Sequence, residues 1–377
     1  MDYFDHSATT KPHKEVLDTF VKVNQEFYAN PASLHELGVD ANTLLSRARK
    51  QVAEMLTTDE QKVIFTSGGT ESNHLAIHGL AKNLQGRGKH IITSNIEHPS
   101  VLETMKQLER LGFEVDILPV NKKGLISVDD VTSSLRKDTI LVSIMHINNE
   151  LGCIQPIQDL ANTIHLNSRA MFHVDAVQSF GKYPVSFPAL GADVLTLSGH
   201  KFNGLKGTGI VAWKGNVSFE PTIVGGGQEF GLRSGTVPVA QAVAFSKAMR
   251  LAFENQSNMH SKYVQWNTKL RSFMKEFKDV LILSSEEAAV HILTVSVRHL
   301  KGEVLVNALQ EKGIIVSTSS ACSSKQTKIS HVIEAIGLSD DYSKGVIRIS
   351  LGTSNTDQQI DNFMKQFSAV MKQVKGE

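Results

Sequence analysis

The chain has 377 residues, of which 41% are hydrophobic and 20% are charged, and its formal net charge is +1. This length suggests two domains, or one large domain with an appendage. The near-zero net charge gives no electrostatic reason to expect a nucleic-acid partner, and no stretch reaches the roughly 18 uninterrupted apolar residues that a membrane-spanning helix needs.

Only two cysteines occur, Cys153 and Cys322, and they are far apart in the sequence. This argues against a disulfide framework and against a cysteine-based zinc site, and it fits a reducing compartment. The polar start MDYFDHSATT lacks the basic and apolar regions of a signal peptide. We therefore expect a cytoplasmic protein without a metal site.

Short runs rich in valine and isoleucine alternate with helical patterns along the first 214 residues. Two apolar stripes predict helices, one formed by Ala41, Leu44, Leu45, Ala48 and Val52 and the other by Ile77, Leu80, Ala81 and Leu84. The runs predicted as buried strands are 62–69, 89–98, 114–120, 139–150, 171–178, 193–201 and 207–214. Seven such runs separated by helices predict a mostly parallel α/β sheet.

The pattern changes after the glycine-rich segment 225–236. A long helix is predicted from residue 239 to about 278, followed by strand-like runs, a helix near 302–313, two further strand-like runs and a last helix from Asp357. We predict a large domain over residues 15–254 and a small α+β domain formed by residues 1–14 and 255–377. The small domain would carry a loop at about 317–330.

Polar side chains follow several predicted strands, and ligands gather at the carboxyl ends of strands in parallel α/β sheets. The first of these ends is TSGGTES, residues 66–72. Its two glycines and the start of a helix would offer N–H groups to an anion, and Thr70 would add a hydroxyl. A capped helix after a turn explains this segment equally well when it is considered alone.

The other strand ends add four side chains with chemical potential. His98 could stack on a planar ligand or shuttle a proton, and Asn149 ends an apolar strand, where an amide needs a partner or a ligand. A buried carboxylate at Asp175 needs a cation such as a protonated pyridine nitrogen. Lys201, if partly desolvated, could form a Schiff base. Alone, His98 is better explained as a structural hydrogen-bonding residue and Lys201 as a solvated loop lysine. Together with the anion cradle, however, these groups predict a pyridoxal phosphate site.

Ten segments in chain order resemble the cysteine desulfurases of the NifS/IscS type, a branch of the class V aminotransferases, over almost the whole sequence. The segments are YFDHSATTKP, NPASLHELG, FTSGGTESNHLAI, EHPSVL, SIMHINNELG, HVDAVQSFGK, SGHKFNGLKGTG, GGGQEFGLRSGT, SSACSS and IRISLG. The resemblance implies the pyridoxal-phosphate-dependent transferase fold of type I. It also implies removal of sulfur from L-cysteine, which gives L-alanine and a persulfide on Cys322.

The resemblance implies a role for each matched residue and a homodimer that passes its persulfide to an acceptor protein, either for iron–sulfur cluster assembly or for tRNA thiolation. Lys201 would form the Schiff base, Cys322 would be the nucleophile, and His98 would stack on the cofactor ring and transfer protons. Gly69, Thr70, Ser198 and His200 would bind the phosphate, Asp175 would pair with the ring nitrogen, and Gln178 would form a hydrogen bond with the ring hydroxyl. Asn149 and Arg348 would bind the substrate carboxylate. Thr236 would contact the phosphate of the neighbouring subunit.

Four positions depart from the family pattern. Ser319 replaces a glycine of the group with a long catalytic loop, Ile329 replaces a common proline, Thr353 replaces the arginine after SLG, and His6 replaces asparagine or tyrosine. None removes a chemical role, but the first two bear on the reach of the loop.

The segment VSTSSACSSKQTK, residues 316–328, surrounds Cys322 with hydroxyl and lysine side chains. We expect it to be poorly ordered without a partner, because Cys322 must reach the cofactor site and then another protein. Two alternatives remain at this point. A related fold-type I enzyme would share Lys201 and Asp175 without needing Cys322, and a non-catalytic scaffold would need neither lysine nor cysteine.

Overall fold

The computed structural model describes residues 1–318 and 329–375. The first elements in chain order are β1 (Asp2–Tyr3), α1 (Lys14–Glu26), α2 (Glu36–Leu56), β2 (Val63–Thr66), α3 (Gly69–Leu84), β3 (His90–Ser94), α4 (Pro99–Arg110), β4 (Glu114–Leu118), α5 (Val128–Ser134), β5 (Thr139–Met145), α6 (Ile157–Asn167), β6 (Met171–Asp175), α7 (Phe187–Leu190), β7 (Val194–Ser198) and β8 (Gly209–Trp213). The remaining elements are α8 (Val239–Met274), β9 (Val280–Ile282), β10 (Ile292–Val297), α9 (Gly302–Glu311), β11 (Ile314–Ile315), α10 (His331–Ala335), α11 (Asp340–Ser343), β12 (Val346–Ser350) and α12 (Asp357–Lys375).

A seven-stranded sheet forms the centre of the larger part, with the strand order β2-β8-β7-β6-β5-β3-β4. All neighbouring pairs are parallel except the two that involve β8. β8 is antiparallel because it follows β7 after a short turn, whereas parallel neighbours need a longer crossover. The predicted mostly parallel α/β sheet of seven strands is therefore confirmed.

Both faces of this sheet are covered by helices. All seven residues of β5 are buried, as expected for a strand of a parallel sheet that lies between two helical layers. In β2, Val63 and Phe65 pack into one core while Ile64 packs into the core on the opposite face, which follows from the alternation of side chains along a strand. The buried stripes predicted for α2 and α3 lie in these two cores.

A second region has its own core and a small antiparallel sheet with the order β12-β10-β9. The first residues of the chain join it, because β1 pairs with β11 and Phe4 is buried in the same core. α8 runs through both regions, since Val239–Met249 pack in the large core and Met259–Met274 pack in the small one. The division into residues 15–254 and residues 1–14 with 255–377 stays a prediction.

Among residues 1–318 and 329–375, no helix combines the length and hydrophobicity that crossing a membrane would require.

Candidate active site

The carboxyl ends of the parallel strands lie at one edge of the large sheet, and a cavity of about 490 Å³ opens beside them. Its lining residues are Ala8, Thr9, Ser67, Gly68, Gly69, Thr70, Glu71, Ser198, His200, Lys206 and Gly207. The four residues expected to bind a phosphate, which are Gly69, Thr70, Ser198 and His200, therefore share one cavity. Sequence reasoning missed Thr9 and Lys206, although both stand inside segments that carry the family resemblance.

The turn between β2 and α3 shapes one wall of this cavity. β2 ends at Thr66, earlier than the predicted strand, because Gly68 has a φ of +148° and the helix starts at Gly69. A β-carbon is poorly tolerated at such a φ. Glu71 accepts hydrogen bonds from the backbone N–H of Ser67 at 2.8 Å and from Arg233 Nε at 2.8 Å. Burial acts to raise the pKa of Glu71, but these hydrogen bonds outweigh it and the net pKa is lowered. The ion pair between Glu71 and Arg233 thus fixes this wall of the cavity. The backbone N–H groups at the start of α3 can bind an anion.

Lys201 lies at the end of β7 in a single helical turn, Gly199–Lys201. Its Nζ donates to the carbonyl oxygens of Ser7 at 2.5 Å and Ala8 at 2.9 Å. Behind it, the Nζ of buried Lys182 donates to the Lys201 carbonyl at 2.9 Å. Burial, with a contribution from the charge of Lys201, lowers the pKa of Lys182 to about 7. The N-terminal segment therefore fixes the position of the Lys201 amine.

Asp175 is the last residue of β6, and its carboxylate has a fixed orientation. Oδ1 accepts from the backbone N–H of Val177 at 3.0 Å, and Oδ2 accepts from Asn73 Nδ2 at 2.7 Å. In the part of the chain that the structure describes, no cation lies within ion-pair distance of it. A buried, oriented carboxylate of this kind is suited to a cationic group of a ligand.

Gln178 lies in the segment that follows Asp175. Among the described residues, the nitrogen of its side-chain amide forms a hydrogen bond and the oxygen does not. Its Nε2 donates to the carbonyl of Ser7 at 2.9 Å. Its Oε1 is buried and has no partner among the described residues. Because a buried oxygen without a hydrogen bond is costly, this atom is suited to accept a hydrogen bond from a donor group of a ligand.

His98 caps the N-terminus of α4, and its ring is fixed by Ser100. His98 Nδ1 accepts from the Ser100 backbone N–H at 3.1 Å and lies 2.8 Å from the Ser100 hydroxyl. Burial lowers the pKa of His98, the charges of Lys201 and His331 add to this effect, and Asp175 opposes it. A neutral ring whose Nδ1 accepts a hydrogen bond carries its proton on Nε2. His98 therefore has a defined tautomer.

Arg348 lies in β12, on the side of the small sheet that adjoins the large domain. Its Nη2 bonds to Asp5 Oδ1 at 2.8 Å and its Nη1 donates to the carbonyl of Asn149 at 2.9 Å, while Nε has no acceptor among the described residues. The two residues expected to bind the substrate carboxylate are thus in contact. The neighbouring Asn148 is structural, because its side chain bonds to Ile96, Glu150 and Leu151.

Of the expected site residues that the structure describes, Gly69, Thr70, Ser198 and His200 line the cavity, and the others do not. Thr236 is exposed and does not line it. Cys322 lies outside the described residues, as do Ser319 and the expectation about loop order. Cys153 is buried, its pKa is raised by burial to about 12, and its thiol donates to the carbonyl of Gly124, so this thiol is poorly suited to act as a nucleophile.

Two departures from the family pattern lie at the junction of the N-terminal segment with β12. The ring of His6 is buried against Gly352, where an added β-carbon would lie 2.2 Å from His6 Nδ1. The hydroxyl of Thr353 bonds to Asn203 Oδ1 at 3.1 Å. Neither residue lines the cavity.

The residues present fit pyridoxal phosphate. The start of α3 together with Lys206 can receive the phosphate, Asp175 can pair with a protonated ring nitrogen, and the unpartnered Oε1 of Gln178 can accept from the ring hydroxyl. Lys201 directly follows the cavity residue His200 in the chain, and it has the amine that this cofactor requires.

Comparison with known proteins gives a consistent result. The family model described as aminotransferase class-V matches residues 2–363. A protein of Dictyoglomus turgidum named cysteine desulfurase IscS is 38% identical over 379 residues, which cover 99% of this chain and 95% of the relative. A solved structure described as a NifS-like protein has a TM-score of 0.93 and 37% identity, with 98% of this chain and 99% of that chain covered. Another, described as SspA in complex with cysteine, has a TM-score of 0.82 and 34% identity over 93% of this chain and 99% of that one.

Proposed function

The chain belongs to the class-V aminotransferases and, within them, to the cysteine desulfurases of the NifS/IscS type, and we propose that Cys322 takes up the sulfur that this pyridoxal-phosphate-dependent enzyme removes from L-cysteine. The net reaction converts L-cysteine and the Cys322 thiol into L-alanine and a Cys322 persulfide, so atoms and electrons balance. The observation that carries this proposal is the convergence of Lys201, Asp175 and the anion cradle at one edge of the sheet.

We assign the binding of the cofactor to the residues around the cavity. Gly69, Thr70, Ser198 and His200 would hold the phosphate, and Asp175 and Gln178 would hold the ring. His98 would stack on the ring. When bound, the cofactor supplies an electron sink that stabilises negative charge at the substrate Cα.

Proton transfer falls to Lys201 and His98. The free Lys201 amine would accept the Cα proton of the substrate, and the carbonyls of Ser7 and Ala8, which already hold Nζ, would stabilise the ammonium that results. His98 carries a hydrogen on Nε2 that it can donate in a hydrogen bond within the site. Burial lowers the pKa of His98 and favours the neutral ring, so the ring would take up a proton before it delivers one.

The substrate carboxylate would be bound by Arg348 and Asn149. A guanidinium forms strong paired hydrogen bonds with a carboxylate, and Arg348 has one donor, Nε, without an acceptor in the described chain. Asp5 forms an ion pair with Arg348 Nη2 at 2.8 Å. This carboxylate would offset part of the desolvation cost of the buried guanidinium.

Sulfur transfer then requires the thiolate of Cys322, because the thiol itself is a weak nucleophile. The thiolate would attack the substrate sulfur, so that an S–S bond forms and the C–S bond breaks. The electron pair of that bond stays on the substrate Cβ, which takes up a proton and leaves in L-alanine. Cys153 cannot substitute for it, because burial raises its pKa to about 12. The persulfide would then pass to an acceptor protein that serves iron–sulfur cluster assembly or tRNA thiolation in the cytoplasm.

We further propose a homodimer in which Thr236 reaches the phosphate site of the neighbouring subunit. The support is a set of exposed apolar side chains on the segments before α2 and around residues 223–230, which are Tyr28, Leu34, Val224 and Phe230. Exposed apolar groups of this size commonly mark interfaces. Ion pairs of Arg49 with Glu229 and of Arg233 with Glu71 connect the second segment to α2 and to the cradle.

The proposal is tested by measuring L-alanine formation from L-cysteine in the cofactor-loaded protein. Cys322→Ala should abolish turnover and Cys153→Ala should retain it, provided that both variants bind the cofactor like the parent. Full turnover by Cys322→Ala without an added thiol would remove the assigned nucleophile. Analytical ultracentrifugation of the parent and of Val224→Asp tests the dimer, because the charge should shift the parent's dimer towards monomer.

A further inference from the structure

Asn73 lies in α3, one turn beyond the glycines of the cradle, and its side chain is almost completely buried between the helix and the sheet. It belongs to none of the roles described above. Its Nδ2 donates to Asp175 Oδ2 at 2.7 Å and to the Ser100 hydroxyl at 3.0 Å. Its Oδ1 accepts from the Thr196 hydroxyl at 2.6 Å. Both hydrogens and the oxygen of this amide are therefore engaged.

The direction of the Asn73 amide is imposed from the interior of the sheet. Thr196 Oγ1 donates to Asn73 Oδ1, so it accepts from His173 Nε2, which lies 3.2 Å away. His173 Nδ1 then accepts from the Ser143 hydroxyl at 2.8 Å. His173 is fully buried and its pKa is lowered by burial to about 3, so the ring stays neutral. Each residue in the series Ser143, His173, Thr196 and Asn73 therefore donates a hydrogen bond to the next one. This arrangement places the Nδ2 group of Asn73 towards Asp175.

The second Nδ2 hydrogen extends the same arrangement to His98. Because Asn73 donates to the Ser100 hydroxyl, that hydroxyl is free to donate to His98 Nδ1 at 2.8 Å. The Ser100 backbone N–H reinforces this acceptor role of Nδ1. One amide thus contacts the carboxylate that we assign to the ring nitrogen and the serine that orients the ring-stacking histidine.

We propose that Asn73 is a positioning residue that sets the orientation of the Asp175 carboxylate and, through Ser100, supports the His98 tautomer. The proposal rests on the cofactor-binding role given to Asp175 above. Within the described residues, the Asp175 carboxylate accepts two hydrogen bonds, one from the Val177 backbone and one from Asn73. Without Asn73 the carboxylate can rotate, and a buried acceptor loses its donor. In metal sites, partners that orient a ligating side chain typically influence affinity or activity by about 10- to 100-fold, and we expect an effect of the same order here.

The test compares Asn73→Asp with Asn267→Asp in the full-length protein. Asn267 is a second buried helical amide that donates to the Val290 carbonyl and accepts from Arg271, far from the cavity in sequence. In Asn73→Asp an oxygen replaces the Nδ2 donor and faces Asp175. We expect the dissociation constant of pyridoxal phosphate to rise about tenfold or more, with kcat for L-cysteine falling further than KM rises. Asn267→Asp should change neither.

A spectroscopic readout separates positioning from loss of stability. The cofactor is isotopically labelled at its pyridine nitrogen and the NMR chemical shift of that nitrogen is measured in each loaded protein. It should move towards the unprotonated value in Asn73→Asp and should not move in Asn267→Asp. If Asn73→Asp does not fold, Thr196→Val, which removes the donor that orients the amide, should give a smaller change in the same direction.

The outcomes distinguish this proposal from the one on which it rests. A folded Asn73→Asp protein with unchanged cofactor affinity and an unchanged nitrogen shift would overturn the positioning role. A Thr196→Val protein that is folded and unchanged in both readouts would do the same. A parent protein that binds no pyridoxal phosphate would instead overturn the proposed function.

Discussion

Glu97, one residue before His98, should make the stability of the protein depend on pH in a direction opposite to that of most carboxylates. Its side chain is fully buried. Oε1 accepts from the Ser94 hydroxyl at 2.6 Å and from the Met145 backbone N–H at 3.1 Å, whereas Oε2 has no partner among the described residues. Burial raises the pKa of Glu97 to about 8, and the charge of Asp175 adds to this, although the two hydrogen bonds oppose it.

The sign and size of the effect follow from this pKa. Between pH 4.5 and about 8 the folded state keeps the proton that the unfolded state loses, so the free energy of unfolding falls as the pH rises through this window. The accumulated loss amounts to roughly 5 kcal/mol above pH 8 as an upper value. Glu97→Gln keeps the acceptor oxygen and has no proton to lose. The variant should therefore gain stability relative to the parent as the pH rises.

Urea unfolding at fixed protein concentration, followed by far-ultraviolet circular dichroism from about pH 5 to about pH 9, measures this difference. All other titrating groups are common to both proteins, so their contributions cancel when the parent is subtracted. Glu311→Gln, at an exposed position of α9, is the matched control and should show a difference that is small at every pH. If the difference between Glu97→Gln and the parent is flat across this range, the carboxyl is not held protonated and the reasoning is wrong.

Three further substitutions test contacts of the structure. Arg49→Met should lower the free energy of unfolding by about 3–5 kcal/mol in urea titrations, because it leaves Glu229 buried without its two 2.7 Å hydrogen bonds. Arg49→Met combined with Glu229→Gln should recover part of this loss, and purely additive effects of the two substitutions would contradict this expectation. Arg348→Met should raise KM for L-cysteine at least about tenfold while the affinity for pyridoxal phosphate, measured by fluorescence titration, stays within twofold. Gly209→Ala should weaken cofactor binding in the same titration, since its β-carbon would lie 2.8 Å from the backbone of Gly68; Gly69→Ala, whose β-carbon would meet Val177 Cγ2 at 3.2 Å, should weaken binding less.

The sheet and much of the site could be predicted because both depend on local patterns. Apolar runs specify strands, and parallel strands place their carboxyl ends at one edge, so Asp175 and Lys201 had to lie near the glycine turn at Gly69. The same logic accounts for the cavity that contains Ser198 and His200. These inferences need only the order of strands and the polar residues that follow them.

Asn73 and Glu97 could not be assigned from the sequence, because their properties come from neighbours that are distant in the chain. Asn73 looks like an ordinary helical residue until Thr196, Ser100 and Asp175 are placed around it. The protonation of Glu97 depends on its complete burial, which the segment NIEHP does not reveal. The position of a domain boundary is equally hidden, since α8 is one continuous helix that packs into two cores.

The most direct test of the central claim is to detect the sulfur on Cys322 itself. The cofactor-loaded protein is incubated with L-cysteine that carries isotopically labelled sulfur, thiols are blocked, and the peptides are analysed by mass spectrometry. We expect one labelled sulfur atom on the peptide that contains Cys322, none on the peptide that contains Cys153, and one L-alanine for each persulfide formed in a single turnover. L-Alanine that appears while the Cys322 peptide stays unmodified would contradict the assignment of Cys322 as the nucleophile.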